Sequence, residues 1–343
     1  MEKVTIIIPA YNAEQSLRRC FSSAVQQSYK NIEILVINDA STDDTETICH
    51  EYAQTYKYFK YVTTQHQGVS AARNKGIELA TGDWIFFMDA DDNLYDFGID
   101  ILINRCGEQE WVIGNYTMVN KLNSSKPETH FQYFSEEIHY GDKSELPQLC
   151  LSRNFNCVWA KLYRRDIICK NDLHFDETQD YGEDLLFNLR YFQYVHHFVI
   201  MKEVVYNYCY QFGKGLGTRF LPNEWELQKN FITYMEKMCR DVYRLSECQC
   251  TQMNAFYYAQ TVATLQRIAD EHTLSFKEKR NRIKKITGSK IFFQILTKEY
   301  KARRIKRLDY LLLKRNLGLS YHYIHRGYVK LKNVMYKGWG TLQ

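Results

Sequence analysis

Four short apolar runs, Val4 to Ile8, Ile32 to Ile37, Tyr61 to Thr64 and Trp84 to Met88, are the strongest constraint on what this chain can fold into. Each is too short for a core helix and the right length for a strand buried on both faces of a parallel sheet. The intervening segments read as helices. Ala13 to Gln27 puts Leu17, Cys20, Phe21 and Ala24 on one face; a second helix follows Ser41-Thr42-Asp43-Asp44 and runs to about Tyr56; a third spans Val69 to Leu79 and stops near Gly82. Asp43 and Glu46 have capping-box spacing, and Pro9 is expected to end the first strand. Strands alternating with helices of this length specify a parallel, doubly wound sheet with right-handed crossovers.

In such a sheet ligands bind beyond the carboxyl ends of the strands. Polar clusters stand at three of those ends: Ala10-Tyr11-Asn12, Asn38-Asp39, and Asp89-Ala90-Asp91-Asp92. An Asp-x-Asp pair offers two oxygens to a hard divalent cation and leaves positions for water and phosphate. Alone it reads equally well as an acidic turn, and a lone Asp39 as a turn or N-cap residue. Their convergence on one sheet edge is what favours a binding site.

The chain has 343 residues, 45% of them hydrophobic, with 27 Tyr and only 4 Pro, which argues for a globular protein and against a disordered one. No run reaches the roughly 18 apolar residues of a membrane-spanning helix, and the N-terminal apolar run is too short for a signal peptide. Ten cysteines are scattered, the nearest pair, Cys248 and Cys250, lacking Cys-x-x-Cys spacing, so reduced thiols in the cytoplasm are expected. Charge is uneven. Thr273 to Gln343 holds 19 basic and 3 acidic residues, net +16, whereas the preceding residues hold 26 and 37, net −11. Further strands are expected at Trp111 to Met118, Trp159 to Tyr163 and Val204 to Tyr210, a helix at Glu183 to Val195, a polar hairpin or loop at Lys121 to Tyr140, and mostly helix from Asn223 on.

The polar ends belong to longer stretches: Ile8-Pro9-Ala10-Tyr11-Asn12, Gln27-Ser28-Tyr29, Glu33 through Asp43, Gly68-Val69-Ser70-Ala71-Ala72-Arg73-Asn74-Lys75-Gly76, and Gly82-Asp83 through Asp92. As an ordered set they resemble the inverting family-2 glycosyltransferases of GT-A fold, bacterial surface-polysaccharide type. Trp159-Ala160-Lys161-Leu162-Tyr163 and Gly182-Glu183-Asp184 are similar to later pieces of that family, while Asn38 stands where many relatives carry aspartate.

The resemblance implies an α/β GT-A domain, Rossmann-like with a mostly parallel central sheet flanked by helices, at residues 1–215, and a helical C-terminal extension at 216–343. Residues 1–115 would form the nucleotide-binding half and 116–215 the acceptor-binding half. Tyr11 would stack on the nucleotide base, Asp39 accept the uracil imide N–H, and Arg73 donate toward the uracil. Pro9, Ala10, Asn12, Glu14 and Ala90 would complete the nucleotide-sugar pocket. Asp89 would hold the ribose or the metal, and Asp91 would ligate Mg²⁺ or Mn²⁺. Asp184 would be the general base, with Glu183 the second candidate. A helix N-terminus there would hold a carboxylate ionised by lowering its pKa.

The activity implied is non-processive transfer of one sugar, from a UDP-linked donor by expectation, to a glycan or lipid-linked glycan. Neither the membrane helices nor the Gln-x-x-Arg-Trp motif of the processive synthases is present. Two other readings stay open: a sugar nucleotidyltransferase, which would want a Gly-x-Gly-x-Arg loop where Pro9-Ala10-Tyr11-Asn12 stands, and a nucleic-acid-binding protein acting through the basic tail. Nucleic acid is not the expected partner, since the tail shows no recognition motif. Ile305, Leu308 and Leu312 instead form an apolar stripe among basic residues, which suits a peripheral helix on the anionic inner face of the cytoplasmic membrane. The competing reading packs that stripe on the catalytic domain and leaves the charge solvated. Gly213 to Gly217 is a candidate lid, and His322 and His325 are taken as surface or interface residues.

Overall fold

The structure, a computed structural model, describes residues 2–120, 128–129, 136–151, 153–179, 182–210 and 220–315. Most of the Lys121 to Tyr140 stretch, Gly213 to Gly217, His322 and His325 lie outside the described residues. The chain divides into two compact units, Met1–Phe212 and Gly213–Gln343.

The first unit carries strands β1 (Val4–Ala10), β2 (Ile32–Asn38), β3 (Phe59–Thr63), β4 (Trp84–Phe87), β5 (Asn93–Leu94), β6 (Trp111–Asn120), β7 (Glu128–Thr129), β8 (Ile138–Gly141), β9 (Lys161–Arg164) and β10 (Phe198–Tyr210). Its helices are α1 (Glu14–Val25), α2 (Thr45–Thr55), α3 (Val69–Leu79), α4 (Gly98–Ile103), α5 (Leu146–Leu151), α6 (Arg165–Lys170) and α7 (Glu183–Phe192). The sheet runs β3-β2-β1-β4-β9-β6-β10-β5, with β7 on β6 and β8 on β10. The first four strands pair in parallel, and β1 and β2 are buried along their whole length, as a sheet covered on both faces requires.

The second half differs from the simple alternation. Strand β9 enters antiparallel between β4 and β6, and β10 then pairs in parallel with β6. The sheet is therefore mixed. Pro9 does not end β1, which continues opposite Ile37 and Asn38 of β2. The Ile7 carbonyl accepts from Met88 and the Ala10 carbonyl from Asp39, so alternate residues face β4 and β2. The missing N–H of Pro9 thus faces the β4 side, where pairing has stopped at Ile7. The Asp43–Glu46 capping box does not form either. Asp43 accepts from the Glu14 and Thr45 amides, and Glu46 accepts from the Thr63 hydroxyl.

The second unit contains α8 (Glu224–Lys237), α9 (Glu247–Asp270), α10 (Phe276–Thr287), α11 (Lys290–Lys301) and α12 (Arg307–Lys314). Trp225, Leu265, Ile268, Ile283, Ile286, Phe292, Leu296 and Leu313 form its core. Buried carboxylates are paired: Glu224 accepts from Arg267, and Glu299 from Arg304 and Asn254. Arg303 at φ 58° breaks the helix between α11 and α12, so of the apolar stripe read from the sequence Ile305 precedes α12 and only Leu308 and Leu312 lie on it. Ile305 and Leu312 pack against this unit's own core, whereas Leu308 is 56% exposed beside exposed Leu311 and Phe293. Among the described residues no helix is long and apolar enough to cross a membrane, and no disulfide joins any of the ten cysteines.

Candidate active site

At the carboxyl ends of β1 and β2 two loops are laced together. The Asn12 amide donates to the Ser41 hydroxyl while the Asn12 side chain accepts from the Thr42 amide, and the Glu14 amide donates to Asp43 while Asp44 donates to the Glu14 carboxylate. Asn12 and Glu14, read as nucleotide contacts, thus fix loop shape in this structure. Ala10 is buried and Pro9 lies within the strand.

Asp39 is only 3% exposed. Its two oxygens accept from the backbone amides of Gln67 (2.9 Å) and Gly68 (2.8 Å), and Nδ1 of His66 lies 2.9 Å away. Gly68, at φ 93°, makes the left-handed turn that aims these amides back at Asp39 and starts α3. A carboxylate has about four lone-pair sites, so Asp39 keeps acceptor capacity toward a ligand. His66 also stacks on the half-exposed Tyr11 ring, centroids 4.2 Å apart. The sequence reading missed His66, although it follows the carboxyl end of β3 and the strand-end rule would have found it.

The acidic turn follows β4. Helix α1 holds its backbone, with Ser16 donating to the Ala90 carbonyl, Arg19 to that of Asp91, and the Cys20 thiol to that of Asp89. The Tyr206 hydroxyl accepts from the Asp89 amide (3.0 Å) and donates to Asp92 (2.8 Å). Asp92 is fully buried and also accepts from the Cys209 amide. Burial first, then the charges of Asp89 and Asp91, push the Asp92 carboxyl well above its usual range. Ala90 is nearly buried, Asp91 is exposed and Asp89 half-buried.

Arg73 joins this turn to the opposite wall. Its guanidinium, with a side chain only 4% exposed, donates to Asp89 (2.9 Å) and Asp184 (2.7 Å) and lies 3.8 Å from Glu183. The guanidinium also sits over the Phe175 ring at 5.3 Å. Arg73, read as a donor to uracil, is here committed to two carboxylates, because β9 and α7 bring Asp184 against α3. Gly182, at φ 72°, provides the left-handed turn into α7, so Glu183 and Asp184 occupy its first turn.

The Asp184 carboxyl is pushed up to about 6 by burial, which outweighs the lowering effect of Arg73; Glu183 raises it further. The helix N-terminus does not lower it overall as expected, because desolvation is the larger effect. Asp184 also accepts from the Val158 amide. The loop carrying Val158 is locked by Asn188, which donates to the Phe155 and Cys157 carbonyls, and by fully buried Lys161, which donates to Cys157 and Trp159.

Burial first, and then the charges of Asp184 and Asp91, raise the Asp89 carboxyl against the lowering pull of Arg73. Among the described residues no group of three His, Cys, Asp or Glu forms a metal cluster. Asp89 and Asp91 supply two hard oxygen donors, which fits a cation completing its shell with water and phosphate.

Comparison with known proteins places this geometry. The model of Glycosyl transferase family 2 matches residues 5–170, from β1 through α6. The chain carries a family-2 glycosyltransferase domain. The glycosyltransferase GlyA of Streptococcus pneumoniae serotype 4 is 29% identical over 238 residues, 65% of this chain and 32% of that protein. The poly(ribitol-phosphate) beta-N-acetylglucosaminyltransferase TarP of Staphylococcus aureus strain N315 is 27% identical over 198 residues, 56% of this chain and 58% of that protein. The chain therefore spans less than two thirds of the length of these relatives. Residues 1–349 of S. aureus TarS, solved in complex with UDP, share the fold with a TM-score of 0.66 at 17% identity, over 96% of this chain and 91% of that chain. The glycosyltransferase domain thus has the GT-A architecture, and Asp39, Asp89 and Asp91 follow the carboxyl ends of its parallel strands β2 and β4.

Proposed function

We propose that the protein transfers a single sugar from a UDP-linked donor to a glycan or lipid-linked glycan of a surface polysaccharide, with inversion. The observation that carries this reading is the Asp89–Arg73–Asp184 bridge, which ties a metal-type acidic turn to a carboxyl poised near neutrality. TarP and TarS, one acting with N-acetylglucosamine and the other solved with UDP, support a UDP-linked donor.

In this mechanism Tyr11 and the Asp39 loop hold the nucleotide, and the diphosphate lies toward Asp89 and Asp91. A Mg²⁺ or Mn²⁺ bound there would offset the charge on the departing diphosphate. Asp184 takes the proton of the acceptor hydroxyl as that oxygen attacks the anomeric carbon opposite the diphosphate. With its carboxyl near 6, Asp184 is mostly ionised at neutral pH yet basic enough to accept a proton. Arg73 balances charge between the two acids and keeps Asp184 aimed.

A screen of UDP-sugars for metal-dependent donor hydrolysis, followed by transfer to lipid-linked glycans, tests the proposal. Hydrolysis of no nucleotide sugar in the presence of Mn²⁺ and Mg²⁺ would contradict it. The second unit supports a peripheral membrane position through Leu308, Leu311 and Phe293 flanked by Lys290, Arg307 and Lys314. Salt-sensitive flotation with anionic liposomes is expected, and equal partition with neutral liposomes would reject that part.

A further inference from the structure

Strand β10 leaves the acidic turn as a ladder of aromatic rings. Tyr206, Tyr208 and Tyr210 lie on one face of it, since side chains alternate along a strand. Tyr206 is fully buried and its hydroxyl touches both the Asp89 amide and the Asp92 carboxylate. Trp159 lies parallel to Tyr206 (4.9 Å, 6°) and to Tyr208 (5.3 Å, 16°), and Tyr210 stands parallel to Tyr208 at 6.3 Å and 14°. Tyr116 on the adjacent β6 closes edge-on against Trp159 at 4.5 Å. Burial is graded: Trp159 and Tyr206 are buried, whereas Tyr208 and Tyr210 are only partly buried.

Position gives this ladder a meaning beyond packing. Its inner end contacts the turn that faces the donor diphosphate. Trp159 is the residue after Val158, whose amide is held by Asp184. The inner rings, Tyr206 and Trp159, thus adjoin both the acidic turn and the loop whose Val158 amide donates to Asp184, and Tyr208 and Tyr210 continue the ladder outward from them. Burial and the charges of Asp92, Asp89 and Asp91 push the Tyr208 hydroxyl up, which keeps it a neutral donor beside the acidic turn. Partly buried, mutually braced aromatic faces next to fixed polar groups suit the apolar C–H face of a pyranose, since such rings give large contact area at little entropy cost.

We propose that Tyr208 and Tyr210, braced by Trp159, form the platform on which a pyranose of the acceptor glycan stacks. The inference rests on the glycosyl-transfer reading above and names the acceptor side of that site.

Saturation-transfer NMR on the full chain with UDP bound, using methyl β-glucoside, methyl β-galactoside and methyl N-acetyl-β-glucosaminide as probes, tests it. At least one glycoside should receive saturation on the C–H protons of one ring face. Tyr208→Phe should keep that contact and Tyr208→Ala should weaken it about tenfold, with UDP affinity unchanged in both. Tyr210→Ala, expected to weaken it less, serves as the second variant if Tyr208→Ala does not bind UDP. Absence of contact with all three glycosides, or equal binding by the alanine variants, would overturn the platform. Displacement of the glycoside when a UDP-sugar replaces UDP would assign the rings to the donor sugar instead and also overturn it. Failure of the wild-type protein to bind UDP would sink the donor reading alone, because glycoside contact with the free protein still decides the platform.

Discussion

Asp39, buried at the end of β2, and Asp184, half-buried in the first turn of α7, are two carboxylates held in opposite ways. Asp39 is gripped by backbone amides of Gln67 and Gly68, donors fixed by chain geometry that cannot leave. Asp184 is held by one backbone amide and by the Arg73 side chain, which it shares with Asp89, and burial lifts its carboxyl to about 6. A group whose task is recognition gains from satisfied, rigid partners, whereas a group that must accept a proton gains from burial that raises its basicity against the lowering pull of a cationic partner. On the proposed reading, the Asp39 side would hold the nucleotide and the Asp184 side would carry the reaction.

Several substitutions can break or sharpen this contrast. The largest effect is expected for Asp91→Ala, which removes an exposed oxygen donor from the acidic turn. Transfer should be abolished and metal-dependent UDP binding lost, as read by calorimetry with and without EDTA. Unchanged UDP binding in EDTA by the parent protein would remove the metal from the account. Arg73→Ala leaves half-buried Asp89 and Asp184 close together without their shared cation, a loss of about 1–3 kcal/mol. Thermal melting should fall accordingly and activity with it, whereas a melting temperature equal to the parent's would show that the bridge contributes nothing.

Asp39→Asn should act on the other side. An amide replaces one acceptor oxygen with N–H₂ facing a backbone N–H, a loss of about 1–3 kcal/mol. UDP affinity should drop while the pH profile of turnover stays as in the parent; a shifted profile would mean the two sides are not separable. Tyr11→Ala is expected to be mildest, about 0.5–1.5 kcal/mol for one stacking face, or roughly threefold to tenfold in UDP dissociation constant. A larger loss would show that His66 stacking on Tyr11 also holds the loop.

The first four strands and the acidic turn were legible in the sequence because short apolar runs, and the polar residues that end them, are local signals. Helix α3 matches its expected span, Val69 to Leu79. What was not legible depends on pairing at a distance. Nothing local announces that β9 inserts antiparallel between β4 and β6, or that Arg73 meets a carboxylate 111 positions away. Asp43 and Glu46 have capping-box spacing, yet in the fold Asp43 also accepts from the Glu14 amide across the loops and Glu46 from the Thr63 hydroxyl, partners that no local pattern announces. The rise in Asp184 was unreadable for the same reason: burial belongs to the packed site, while the helix N-terminus was visible in Gly182-Glu183-Asp184.

The most direct measurement of the central claim is turnover against pH for the parent and Asp184→Asn, with UDP affinity measured on both. Parent turnover should fall as pH drops through about 6, because the base is lost when its raised carboxyl protonates. Asp184→Asn should bind UDP like the parent yet lose about 10²-fold or more of its turnover, with that acidic limb gone from what remains. Parent-like turnover in Asp184→Asn, or a loss confined to UDP affinity, would contradict the assignment of Asp184 as the base.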